Sequence, residues 1–149
     1  MFHRCMLLFA LLVPILTACD DDDPAGPSSV SLVGDWTVTQ IELVSVANAS
    51  VSVDLMDEGV TATLALEADG DFFLNVTDPV EGLETFTGHW TYSDVLTMEH
   101  SGGQFVGEWQ FTVSLTGDTL RLTGADAEFD FGEDGVENAA KLNMTATRD

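Results

Sequence analysis

Hydrophobic and polar residues alternate along most of the chain after residue 30. From Phe105 to Thr116, every odd position is apolar or glycine, and every even position except Val106 is polar. The segments 85–92 and 141–147 alternate in the same way. A period of two is typical of a strand with one buried and one solvated face, and no helical periodicity of useful length accompanies it. The pattern therefore predicts an all-β domain.

Turn signals such as Asp69-Gly70, Ser101-Gly102-Gly103 and Gly117-Asp118 separate these segments. About eight strands are predicted: 33–45, 60–67, 71–77, 84–92, 95–100, 104–116, 119–124 and 140–147. Such a series suits an antiparallel up-and-down β-barrel, because closure removes bare strand edges, and a β-sandwich is the alternative. Trp36 and Val38 lie on one face of the first strand but Ile41 and Leu43 have the opposite parity, which predicts a bulge near Gln40.

The N-terminus carries an export signal rather than part of the domain. A short basic start, His3 and Arg4, precedes the apolar run 6–16, which is too short to span a bilayer. The run ends in Leu16-Thr17-Ala18-Cys19, which resembles the lipobox of bacterial lipoproteins. The resemblance implies that residues 1–18 are removed and that Cys19 becomes a lipidated N-terminus.

The next segment, residues 19–31, begins with Cys19 and four aspartates and continues with Pro, Gly and Ser, so it is expected to be a flexible tether. The folded domain is then predicted to span 32–149. The lipobox resemblance implies a protein of the cell envelope, anchored to a membrane by lipid and facing the periplasm or the exterior.

A Gly-x-Trp tripeptide occurs three times, as Gly34-Asp35-Trp36, Gly88-His89-Trp90 and Gly107-Glu108-Trp109. The first copy, at the start of the first strand, resembles the signature of lipocalins and the wider calycin group. In that family an arginine after the last strand packs across this tryptophan and closes one end of the barrel. Arg148 is the matching residue, and its strand parity points it inward over Trp36. The resemblance also implies that residues 46–59 form a long loop at the open mouth.

A lipocalin-like barrel implies a small apolar ligand in its lumen. Strand parity directs six aromatic side chains inward: Phe86, Trp90, Tyr92, Phe105, Trp109 and Phe111. Their bulk is also sufficient to fill a small barrel, since eight-stranded barrels are either packed or hollow. Two functions therefore stay open, a binding protein for a small apolar ligand and a packed interaction or structural module of the envelope.

The net charge and the small number of histidines argue against nucleic-acid binding, metal binding and catalysis. A formal net charge of −22 repels nucleic-acid phosphates, so no nucleic-acid partner is expected. His89 and His100 are both expected at the surface, and neither has a second histidine at a metal-ligand spacing. No catalytic residue, metal site or cofactor is predicted, and the protein is not expected to be an enzyme. The acidic segment 126–137 is interpreted as a solvated loop in preference to a calcium loop.

Overall fold

Eight antiparallel strands close into a barrel, and a ninth short strand lies beside it. The computed structural model describes residues 26–102 and 105–148, without the side chains at 101–106. The elements are α1 Ser29–Leu32, β1 Gly34–Ser45, β2 Ser52–Asp54, a 3-10 turn Leu55–Glu58, β3 Thr61–Leu66, β4 Asp71–Asp78, β5 Gly82–Tyr92, β6 Leu96–Gly102, β7 Phe105–Thr116, β8 Thr119–Phe129 and β9 Asn138–Arg148.

The barrel closes because the last strand pairs with the first. β9 runs antiparallel to β1 from Trp36↔Arg148 to Ser45↔Ala140, and on its other edge it pairs with β8. Every other barrel strand pairs with its neighbours in sequence. The prediction of an eight-stranded up-and-down barrel is confirmed, and the sandwich alternative is excluded. The register of β1 against β9 shifts between Val38 and Gln40, which confirms the predicted bulge.

The segment 46–59 contains more structure than a long loop. β2 pairs with the second half of β1, where β3 no longer reaches, and the 3-10 turn follows it directly. The Asp54 carboxylate joins these pieces, because it accepts hydrogen bonds from the backbone N–H groups of Ile41 and Met56. A strand of three residues is too short to produce a detectable alternation, so sequence patterns do not reveal it.

Strand β8 is also longer than predicted. Its register against β9 shifts between Leu122 and Ala125, and pairing then continues to Phe129. Gly124 sits at this bulge with φ +92°, a conformation that glycine adopts at little cost, and its N–H donates to Asn143 Oδ1 at 3.0 Å. Residues 126–129 therefore belong to a strand, and the acidic segment 126–137 is not a single loop.

Apolar side chains from all eight barrel strands fill much of the interior. The largest almost completely enclosed apolar side chains are Leu32 of α1 and, from the barrel strands, Trp36, Phe72, Phe111, Leu64, Leu66, Leu96, Met98, Leu120 and Leu122. Most of these residues lie toward one end of the barrel, where β1 begins and β9 ends. The opposite end carries the loops 46–51, 79–81 and 130–137.

Within the described residues, no helix has the length and apolar character needed to cross a membrane. The predicted signal segment 1–18, the predicted lipidation site Cys19 and the tether up to residue 25 lie outside the described residues.

Candidate functional site

The barrel wall opens between β7 and β8. These strands pair only from Thr112↔Thr123 to Thr116↔Thr119. Beyond the bulge at Gly124, the paired residues of β8 have β9 as their partner, while the first half of β7 pairs with β6. In the described residues, the segments 105–111 and 125–129 thus lie on either side of a lateral gap without forming a ladder.

A cleft of about 570 Å³ occupies this gap. It is lined by residues of both parities, such as Glu108 beside Trp109 on β7 and Ala127 beside Glu128 on β8. Neighbouring residues of a strand point to opposite sides of a sheet. The cleft therefore runs through the wall, from an outer rim of polar side chains to an inner floor of barrel-facing ones.

Three rings form the floor of the cleft. The Trp109 and His100 ring centroids are 4.3 Å apart with an interplanar angle of 32°, and Phe86 meets Trp109 edge-on at 5.3 Å. Phe86 also meets His100 edge-on, at 6.1 Å and 87°. Phe86 and Trp109 are half-buried, whereas His100 is only 5% exposed. The cleft thus presents aromatic surface that the barrel core does not cover.

The burial of His100 contradicts the expectation that it lies at the surface. β6 places Leu96, Met98 and His100 on one face, and the first two are completely buried in the core. The alternation within β6 placed His100 on the same face as two apolar residues and therefore indicated burial. The polar character of histidine and the following glycines, however, favoured a surface position. His89, by contrast, is exposed as expected, and its Nδ1 lies 2.6 Å from Asp71 Oδ1.

Gly107, the glycine of the third Gly-x-Trp copy, makes room for His100. A Cβ at this position would lie 3.0 Å from His100 Nε2, closer than side chains normally approach. Gly88, the glycine of the second copy, lies against the backbone instead, because a Cβ there would lie 1.9 Å from the Glu99 carbonyl oxygen. The glycines of these two copies therefore permit close approach, one to a ring and one to a neighbouring strand.

Four carboxylates surround the outer rim: Glu108, Asp126, Glu128 and Glu137. Asp126 forms an ion pair with Lys141, its partner across the β8–β9 ladder. Glu108 accepts a hydrogen bond from the Gln110 amide, which does not neutralise its charge. The rim thus keeps an excess of negative charge close to the aromatic floor.

The opposite end of the barrel is closed by Trp36 and Arg148. The guanidinium carbon of Arg148 lies 4.4 Å from the centroid of the Trp36 ring, and its Nη2 donates to the Ser31 carbonyl. The Trp36 indole N–H donates to the Leu32 carbonyl at 3.0 Å. The first-copy glycine, Gly34, lies beneath the Arg148 side chain with φ +144°. The structure thus places Arg148 over Trp36, where strand parity directs it.

The six aromatic residues predicted to line a lumen fall into separate groups. Phe86 and Trp109 line the cleft. Trp90 and Phe111 are buried in the packed interior, and the Trp90 indole donates to the Glu67 carbonyl at 3.0 Å. Tyr92 is half-buried against the same core. The side chain of Phe105 lies outside the described residues. The aromatic set is thus divided between packing and a cleft surface.

The loop 130–137 is organised by Asp130. Its two carboxylate oxygens accept hydrogen bonds from the N–H groups of Gly132, Asp134 and Gly135. The bond from Gly135 is the main cause that lowers the pKa of Asp130, and the Gly132 and Asp134 bonds lower it further. Because these donors already occupy the carboxylate, Asp130 acts here as an organiser of the turn. Among the described residues, no three His, Cys, Asp or Glu side chains come together in a group able to hold a metal ion.

Pattern reasoning singled out the acidic segment 126–137, which contains the cleft residues Asp126, Glu128 and Glu137, but interpreted it as a solvated loop. It did not identify Ala140 of β9, which also lines the cleft. A comparison with protein-family models, curated proteins and solved structures finds no match to this chain.

Proposed function

We propose that the protein is a lipid-anchored protein of the cell envelope that binds a small molecule with an apolar part in the cleft between β7 and β8. The anchor follows from the lipobox-like Leu16-Thr17-Ala18-Cys19 sequence. The binding role follows from the cleft, and a lipocalin-like signature at Gly34 and Trp36 supports the same function. The proposal requires neither a cofactor nor catalysis.

The observation that carries the binding role is the exposed aromatic floor. Trp109 and Phe86 leave part of their rings uncovered inside a concavity, while Trp36 and Trp90 are buried. Concave sites lined by aromatic side chains and a few polar groups are typical of small-molecule sites. A ligand that covers these rings gains roughly 25 cal/mol for each Å² of apolar surface removed from water.

Because the barrel interior is packed, the proposed site is the lateral cleft between β7 and β8 and not a central lumen. Phe111, Met98 and Leu122 are almost completely enclosed and occupy the space in which a lipocalin-like ligand would be expected. The alternative function, a packed interaction or structural module, is supported by this packed interior. The two functions differ in whether the cleft accepts a ligand.

A titration with uncharged n-alcohols, from butanol to octanol, tests the binding role. The processed lipoprotein is reconstituted in phosphatidylcholine vesicles, and tryptophan emission is followed. Binding in the cleft should give a saturable change, with affinity rising about fourfold for each added methylene at about 0.8 kcal/mol.

Trp109→Phe is the control for this titration. The emission change should vanish in this variant, because Trp36 and Trp90 lie away from the cleft. An emission change that persists in Trp109→Phe, or the lack of any saturable response, would favour the packed module.

The anchor is tested separately with Cys19→Ala. Without the cysteine, lipidation and cleavage should both fail, so that unprocessed precursor accumulates and partitioning into a detergent phase is lost. A variant that is processed and anchored like the wild type would contradict the lipoprotein assignment.

A further inference from the structure

We infer that the cleft selects an organic cation, namely a protonated amine attached to a short apolar chain. This inference rests on the proposed binding function and deepens it by naming the charge of the ligand. Two independent features of the cleft point to it, the arrangement of the floor and the electrostatics of the rim.

The floor offers a partly exposed tryptophan ring to a cation, since the His100 ring stacks against one face of Trp109 and Phe86 meets it edge-on. A positive charge within about 6 Å of an aromatic centroid is attracted by the negative face of the ring, and tryptophan is the strongest partner. Trp109 is half-buried and lines the cleft beside Phe86. The same barrel uses this interaction at its other end, where the Arg148 guanidinium lies 4.4 Å from the Trp36 ring centroid. Among the described side chains that line the cleft there is no lysine or arginine, so the partly exposed ring can accept a cation from a ligand.

The rim carries negative charge that the protein itself does not fully neutralise. Lys141 pairs with Asp126, whereas Glu108, Glu128 and Glu137 around the same opening form no ion pair with any described lysine or arginine. An alkyl ammonium can place its charge among these carboxylates and its chain over the rings. An anionic amphiphile of the same length places a carboxylate against them and is repelled.

The rim carboxylates differ from the other acidic residues of the molecule in their short distance from the cleft. Charges more than about 10 Å apart are largely screened at 0.1 M salt. Carboxylates at the closed end, such as Asp35, Glu67 and Asp118, are exposed and do not line the cleft. The general acidity of the chain attracts all cations weakly, and the rim determines where one of them binds.

The experiment compares three ligands of equal chain length: hexylamine, hexanol and hexanoate. At pH 7 the amine is protonated and the acid is ionised. Each is titrated into the vesicle-anchored lipoprotein at about 0.1 M salt, where the closed-end charges are screened from the cleft, with Trp109 emission as the signal. Hexylamine should bind about tenfold more tightly than hexanol and hexanoate more weakly than both, and the advantage of the amine should shrink as salt is added.

Two triple variants with the same change in net charge localise the effect. Glu108→Gln, Glu128→Gln and Glu137→Gln together remove the unpaired rim charges, and this variant should bind hexylamine and hexanol equally. Asp35→Asn, Glu67→Gln and Asp118→Asn together remove three charges from the closed end and should preserve most of the tenfold preference. The preference is taken in each variant as the ratio of the hexylamine affinity to the hexanol affinity, and the closed-end variant should leave the hexanol affinity unchanged.

The outcomes separate this inference from the proposed function. Equal binding of amine and alcohol by the wild type overturns the cation preference and leaves the binding function intact. A preference that falls equally in both triple variants shows that net charge is the cause and overturns the role of the rim. If none of the three ligands gives a saturable signal, the binding function itself fails.

Discussion

The two ends of the barrel differ in how completely they cover an inward-facing tryptophan. At the closed end, Trp36 is buried beneath Arg148, and its indole N–H is bonded to the α1 backbone. At the open end, Trp109 occupies an inward position of β7, but β8 has turned away at the Gly124 bulge and leaves it half-buried. Equivalent strand parity therefore produces a core residue at one end and a partly exposed cleft residue at the other.

The comparison teaches that the enclosed core and the exposed cleft surface are separated along the barrel axis. The closed end combines a complete strand ladder, the short helix and the arginine over the tryptophan. The cleft exists where one ladder is interrupted, and Phe86 and Trp109 are only half-buried there. Substitutions at the two ends should consequently affect different properties.

The largest effect is expected for Trp36→Ala. Truncation of a fully buried tryptophan removes its packing and leaves a cavity, which should lower the free energy of unfolding by about 3–5 kcal/mol. Denaturant unfolding followed by circular dichroism measures the loss. A nearly unchanged midpoint would show that the closed end is not the main source of stability.

Trp109→Ala should cost less stability, about 1–2 kcal/mol, because the ring is only half-buried. It should instead remove most of the ligand affinity, measured by calorimetric titration of hexylamine. If Trp109→Ala and Trp36→Ala destabilised the protein equally, the proposed division between the two ends would be wrong.

Arg148→Gln is expected to cost about 0.5–1 kcal/mol through loss of the cation–π contact with Trp36. Arg121→Gln is the matched control, because Arg121 is an exposed arginine of the neighbouring strand β8 and its substitution removes the same charge. Equal loss of unfolding free energy in the two variants would attribute the effect to net charge rather than to the closing contact.

The smallest effect concerns the pH dependence contributed by Asp130. Backbone hydrogen bonds lower its pKa in the folded protein, so its contribution to stability is present above the unfolded pKa and is lost as the pH falls through the folded one. Asp130→Asn should therefore flatten the decline of the melting temperature below about pH 4. Glu133→Gln removes a carboxylate from the same loop, and an identical flattening in that variant would contradict the specific role of Asp130.

Local patterns were sufficient for most of the fold. Alternation identified the eight barrel strands, the parity change in β1 located its bulge, and the parity of β9 directed Arg148 toward Trp36. These features depend on neighbours within one strand, where the period of two is a direct consequence of backbone geometry. Patterns failed at β2, which has only three residues, and at His100, whose chemical character opposed its strand position.

The sequence by itself determined which side chains face inward, but the tertiary structure decided which of them stay covered. Trp90 and Trp109 belong to similar tripeptides and both point inward, yet one is enclosed and the other lines a cleft. The difference coincides with the end of the β7–β8 ladder at Thr112↔Thr123, next to the bulge at Gly124, whose N–H donates to Asn143 Oδ1, 19 residues away in the chain. Strand parity is a local property, whereas the separation of two strands is set by contacts between distant segments, so only the folded barrel reveals the cleft.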